Sequence, residues 1–173
     1  MDQLLPWLTY LGSHYAVIFF ILLSWILTQQ RKILRHLVLL YAVQFIVLYG
    51  LKFLIQRPRP LLFLEVASKL SRGPEKIFDP SFPSAHSVFS FMMAVLLSNW
   101  FPRYRIIFYV FAAFIAWTRI YLGVHYPTDV IAGALLGYGL TKAFLLFFPL
   151  CLGSGKKMKE GFLQKDSDDF FSR

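Results

Sequence analysis

Cysteine is all but missing from these 173 residues. Cys151 stands alone, so no internal disulfide can form, and neither a Cys-x-x-Cys pair nor a His-rich tract offers a structural metal its usual ligands. Acidic side chains are scarce too, 9 against 18 Lys and Arg. Glu65, Glu75, Asp79 and Asp129 are scattered and the rest lie in the termini, which leaves no clustered carboxylates for a two-metal site. A Gly-x-x-x-x-Gly-Lys nucleotide loop is absent. A cysteine nucleophile with arginine six places on is excluded because Lys157 follows Cys151. Met1-Asp2-Gln3-Leu4 lacks the basic flank of a secretory signal, so the first apolar run reads as a helix that stays in the membrane.

Apolar residues dominate instead. At 57% hydrophobic, with a mean hydropathy of +0.57, the chain is too apolar for an ordinary water-soluble domain. A hydrocarbon core of roughly 30 Å asks for helices of about 20 apolar residues. Five windows approach that, at about 10–28, 37–55, 87–101, 105–121 and 129–150. The expected fold is all-α, a polytopic transmembrane bundle of about five spanning helices plus short interfacial ones. Residues 1–152 read as one domain and 153–173 as a flexible polar tail, with Lys156, Lys157 and Lys159 ahead of Asp166, Asp168 and Asp169. Residues 3–12, with Trp7 and Tyr10, either lie along the membrane surface or simply begin the first span. Leu61 to Leu70 is equally open between an interfacial segment and loop packing. Gly133 and Gly137 are spaced to bring helices together, within one subunit by preference, and oligomeric state stays open.

The formal charge of +9 sits beside apolar spans and forms no basic stripe, which argues against nucleic acid. Spans alternate direction, so the end of span two, the start of three, the end of four and the start of five share one side. Three polar motifs fall at those ends: Lys52 with Arg59-Pro60, Pro83-Ser84-Ala85-His86, and Thr118-Arg119 with His125 and Asp129. Ionisable groups beside hydrocarbon are costly and mark function. Ten basic residues on the opposite side against seven on the motif side, or four once the site is excluded, place the motifs outside the cytoplasm.

The motifs suit phosphate chemistry. Ser84 is placed to cap span three and leave the N–H groups of Ala85 and His86 at the positive end of the helix dipole. Arg59 and Arg119 can fork onto phosphate oxygens, with Lys52 as a compact charge. His125 and Asp129 are four apart; if that turn is helical, the carboxylate can accept the Nδ1 proton and present Nε2 as nucleophile. His86 would protonate the leaving group and later deprotonate water. His14 and His36 read as hydrogen-bonded structural groups, and Asp79 as a loop residue of no assigned role.

These residues resemble the type 2 phosphatidic acid phosphatase superfamily, whose signatures read Lys-x6-Arg-Pro, Pro-Ser-Gly-His and Ser-Arg-x5-His-x3-Asp. Ala85 replaces the usual glycine and Thr118 the usual serine. Ala85 still offers its N–H if its backbone avoids positive φ. Arg57-Pro58 repeats the arginine-proline pair, and only spacing selects Arg59. The resemblance implies His125 as nucleophile, Asp129 as its partner, His86 as acid and base, and Lys52, Arg59, Ser84, Ala85 and Arg119 as phosphate ligands, with no metal and no cofactor. The vanadium haloperoxidases of the same superfamily resemble soluble helical proteins, so five apolar spans argue against that branch and make vanadate an expected inhibitor.

The expected activity is hydrolysis of a terminal phosphate from a membrane lipid through a phosphohistidine. By resemblance, lipid A 1-phosphate or undecaprenyl diphosphate is favoured and phosphatidylglycerol phosphate remains open. A noncatalytic lipid-binding or lipid-transport protein is the alternative. The expected place is a bacterial inner membrane, with the site on the periplasmic face and the tail cytoplasmic.

Overall fold

The apolar windows fold as helices whose ends fall close to the limits read from sequence. The computed structural model describes residues 12–28, 31–60 and 79–148. They form α1 (His14–Thr28), α2 (Arg31–Ile55), α3 (Ala85–Trp100), a 3-10 turn (Pro102–Tyr104), α4 (Arg105–Tyr121) and α5 (Pro127–Phe147), with no strand among the described residues. The segments 3–11 and Leu61 to Leu70, and the 153–173 tail, lie outside them. At 25 and 21 residues, α2 and α5 are long and apolar enough to cross a membrane. With 16 residues in α3 and 17 in α4, those two helices are shorter.

Local chemistry sets the ends that matter. α2 stops where Gln56 takes a left-handed φ of 46° while its N–H still reaches the Lys52 carbonyl at 3.0 Å, and Pro58 follows. That conformation costs a non-glycine residue about 1 kcal/mol. α4 ends on Gly123, whose φ of 66° suits a residue without Cβ and swings the chain toward His125. Pro127 opens α5 at its first position, where no intrahelical N–H is needed.

α3 is the central helix, packed along both α4 and α5. Its approach to α5 depends on glycine: a Cβ on Gly133 would lie 2.6 Å from the Ser84 carbonyl oxygen, and one on Gly137 would run into the Val88 backbone. The pair therefore packs helices inside one subunit. On the other side of α3, Val88, Phe89, Met92 and Leu96 meet Val17 and Ile21 of α1 and Leu37, Leu40 and Leu48 of α2. Gln44 of α2 ties to α5 by donating to Thr141 Oγ1 at 2.9 Å and to the Gly137 carbonyl at 3.2 Å.

Polarity runs opposite to that of a water-soluble bundle. Phe53, Leu54, Ile106, Leu146 and Phe147 are each at least 70% exposed, whereas Lys52, Arg119, His125 and Asp129 are 3% exposed or less. Such a surface suits hydrocarbon, and the buried polar groups must satisfy one another. The half-buried His14 bonds the Tyr41 hydroxyl at 3.0 Å and the Tyr49 hydroxyl at 3.1 Å, and the His36 ring makes an exposed hydrogen bond to the Lys32 carbonyl at 2.6 Å.

Candidate active site

Four helix ends meet: the end of α2, the start of α3, the end of α4 and the start of α5. The Ser84 N–H donates to the Asp129 carbonyl at 3.0 Å, joining the starts of α3 and α5. The Ser81 N–H donates to the Arg57 carbonyl at 2.8 Å, which ties the connection before α3 to the end of α2. The N–H groups of Val124 and His125 share the Arg119 carbonyl at 3.2 and 3.3 Å, folding the α4–α5 connection back over the end of α4. Lys52, Arg59, Ser84, Ala85, His86, Arg119, His125 and Asp129 are thereby gathered at one end of the bundle.

Two cations converge on one carboxylate. Asp79 Oδ2 lies 3.0 Å from Lys52 Nζ and 2.7 Å from an Arg59 Nη, and the Asp79 carbonyl accepts from Arg59 Nε at 2.8 Å. Lys52 also donates to the Pro80 carbonyl. These residues, with Tyr49, Phe53, Gln56, Arg57 and Pro58, line a cavity of about 630 Å³ that mixes charge with aromatic surface. Neither histidine lines it. Asp79, read from sequence as a loop residue without a role, is thus the counter-ion of two proposed phosphate ligands.

A second carboxylate gathers its own set of donors. Asp129 Oδ1 accepts from Arg57 Nη1 at 2.8 Å, and Oδ2 accepts from the Tyr126 N–H at 3.0 Å and from the Ser81 hydroxyl. The Arg57 guanidinium also donates to Thr128 Oγ1 at 2.7 Å and stacks 3.9 Å above the Tyr126 ring. Spacing had selected Arg59 over Arg57, yet both are used, each on a different carboxylate.

Two details correct the sequence expectation. The turn holding His125 is not helical, because α5 begins only at Pro127. His125 Nδ1 therefore stands 3.8 Å from Asp129 Oδ2, too far for a hydrogen bond, and its nearer neighbour is Ser81 Oγ at 3.3 Å. Ser84 occupies the N-cap position of α3, but its hydroxyl makes no capping bond and is buried without a hydrogen-bond partner. The N-cap residue here supplies its carbonyl to Val88 N–H at 3.0 Å, while its side chain stays uncommitted.

The two departures from the family pattern fit their places. Ala85 is the first residue of α3, and among the described non-glycine residues only Gln56 has positive φ, so the alanine is unstrained. Thr118 turns its hydroxyl back to the Ile115 carbonyl at 2.6 Å, a bond within α4 that serine or threonine makes equally.

Electrostatics favour a neutral His125. Burial pushes its pKa down to about 4; the charges of Arg59, Arg119 and Lys52 act in the same direction and Asp129 against them. His86, half-buried in the first turn of α3, has His125, Arg59 and Lys52 among the charges acting on it. Neutral imidazole, clustered cations and a shaped cavity are the parts that nucleophilic attack on phosphorus requires. Among the described residues no group of three His, Cys, Asp or Glu gathers as metal ligands.

Comparison with known proteins points the same way. The family model described as the PAP2 superfamily matches residues 33–151. The undecaprenyl-diphosphatase of Sulfolobus acidocaldarius is 31% identical over 138 residues, covering 79% of this chain and 66% of that protein. The lipid A 1-phosphatase of Rhizobium johnstonii is 42% identical over 73 residues, 41% of this chain and 29% of that protein. The chain thus spans less than two thirds of the curated relatives' lengths. The crystal structure of Aquifex aeolicus LpxE superposes with a TM-score of 0.66 at 30% identity, covering 83% of this chain and 84% of that one. With a matching family model over most of its length, a shared helical fold, and all three signatures gathered at one end of the bundle, the chain belongs to the PAP2 superfamily.

Proposed function

We propose that this protein is an integral-membrane lipid phosphatase that removes a terminal phosphate from a lipid phosphate or diphosphate through a phosphohistidine on His125. The observation that carries this reading is the convergence of Lys52, Arg59, Arg119, His86, His125 and Asp129 at one end of a bundle whose outer surface is apolar. His125 Nε2 attacks phosphorus as the bond to the lipid oxygen breaks. His86, protonated, gives its proton to that oxygen. Water then attacks the phosphohistidine, His86 takes the water's proton, and Nε2 leaves. Lys52, Arg59 and Arg119 hold the phosphoryl oxygens with the Ser84 hydroxyl and the Ala85 N–H, stabilising charge as the bond order at phosphorus changes. Substrate phosphate competes with Asp79 for Lys52 and Arg59.

All five helices cross the bilayer in this reading, α3 and α4 as short spans completed by flanking residues. The basic-residue bias puts the site on the periplasmic face of a bacterial inner membrane and the tail in the cytoplasm. Undecaprenyl diphosphate and lipid A 1-phosphate are the favoured substrates, in keeping with the relatives' names, followed by phosphatidylglycerol phosphate.

Phosphate release from purified protein across a panel of these lipids, without added metal, tests the proposal. Turnover of one of them, lost in His125→Ala while lipid binding persists, supports it. Binding without turnover in the unaltered protein would instead establish the noncatalytic lipid-binding alternative.

A further inference from the structure

The proposed nucleophile and its carboxylate do not touch. His125 Nδ1 and Asp129 Oδ2 stand 3.8 Å apart, and Ser81 fills the interval. The Ser81 hydroxyl donates to Asp129 Oδ2 and lies 3.3 Å from Nδ1, and the residue is fully buried. A hydroxyl has one proton and two acceptor lone pairs. Asp129 also takes N–H groups from Arg57 at 2.8 Å and Tyr126 at 3.0 Å, donors that call for an ionised, acceptor-only carboxylate. The Ser81 proton is therefore committed to Asp129. Toward His125 the serine oxygen can only accept, so the ring proton must sit on Nδ1 and the lone pair on Nε2.

We propose that Ser81 is a positioning residue that sets the tautomer of His125 through the chain Nδ1–H to Ser81 Oγ, and Oγ–H to Asp129 Oδ2. The inference rests on the reading of His125 as nucleophile. Asp129 then acts on the imidazole through the serine. When Nε2 bonds to phosphorus, Nδ1 keeps its proton, and the positive charge on the ring is balanced by Asp129 across the hydroxyl without any proton leaving the chain. The backbone supports this placement: the Ser81 N–H is fixed on the Arg57 carbonyl at 2.8 Å, while the guanidinium of the same Arg57 holds the other oxygen of Asp129. Serine and carboxylate are thus registered by one residue.

Two measurements test it. In kinetics, Ser81→Ala is expected to lower kcat about ten- to a hundredfold, as for other residues that orient a reacting imidazole, with KM little changed. Ser81→Thr, which keeps the hydroxyl, is expected to restore most of the loss. Combining Ser81→Ala with Asp129→Asn is expected to cost no more than Asp129→Asn alone, because both cut the same chain. Wild-type turnover in Ser81→Ala, or fully additive losses in the double variant, overturns the proposal. The second measurement needs no turnover: 15N NMR of histidine-labelled protein in detergent, with His125 assigned by comparison with His125→Ala. An Nδ1–H, Nε2-unprotonated signature in wild type is expected, and an Nε2–H signature overturns the proposal even if Ser81→Ala fails to fold. Absence of phosphate release from any lipid would sink the phosphatase reading, and the spectrum would still decide the tautomer.

Discussion

Lys52 Nζ stands 3.0 Å from Asp79 Oδ2, so a proposed phosphate ligand already holds an anion. Arg59 reaches the same oxygen at 2.7 Å. A phosphate entering the cavity must share or displace that carboxylate, and Asp79, about one third exposed, is the member of the trio with room to move. Asp79→Asn keeps the shape and removes the charge. It is expected to tighten inhibition by inorganic phosphate or vanadate by up to about fivefold, the scale of a partly exposed ion pair. Weaker inhibition would mean that Asp79 serves to hold the two cations in position.

Removing the proposed nucleophile and removing its proposed support should differ in kind. His125→Ala is expected to abolish turnover and the acid-labile phosphoprotein trapped by rapid quench. Asp129→Asn leaves Lys52, Arg59 and Arg119 in place, so kcat should fall by about 10²- to 10⁴-fold while KM moves little. Unchanged kcat in Asp129→Asn would remove the carboxylate from the mechanism.

The pH dependence follows from the buried imidazole. His125 titrates at about 4 in the folded protein and near 6.5 when exposed, so the unfolded chain binds the extra proton first as pH falls. Its contribution to stability is therefore present above pH 6.5 and is lost progressively as pH drops from there through about 4. Thermal unfolding in detergent should show wild type losing stability over that window more steeply than His125→Gln. On the kinetic side, neutral His125 is the attacking form in the proposed mechanism. The acid limb of kcat/KM assigned to it by comparison of variants should lie nearer 4 than 6.5.

Gly137 carries a prediction about packing alone. Any Cβ there meets the Val88 backbone, which cannot rotate aside as a side chain would. Gly137→Val is expected to cost about 1–3 kcal/mol of stability, the range for overpacked cores. Gly139, with open space around its Cβ position, should accept alanine with no such loss. Equal unfolding temperatures for Gly137→Val and Gly139→Ala would contradict the close approach of α3 and α5.

Parity made much of this architecture legible. Once five apolar windows alternate, Lys52, His86, Arg119 and Asp129 have to share a side, and the structure brings them together. What spacing could not give was the partner of each charge. Arg57 and Arg59 are the same dipeptide repeated, and only the path of the chain after Gln56 sends one to Asp129 and the other to Asp79. The interval from His125 to Asp129 suggested a helical turn, but Pro127 starts the helix between them, opening the gap that Ser81 fills. A Pro at the first helical position was visible in sequence. Its consequence is that the residue two places earlier stands outside the helix. Asp79 and Ser81 lie in a Pro-broken stretch without periodicity, where local pattern carries no information about tertiary partners.

The main-chain bond from Ser84 to the Asp129 carbonyl, with Gly133 and Gly137 further along α5 letting backbone rest on backbone, works as a rivet between α3 and α5. Swelling or thinning of the surrounding bilayer can tilt this riveted pair only as a unit. On the proposed membrane placement, lateral pressure changes how the protein sits while the spacing between Ser84 and Asp129 stays fixed.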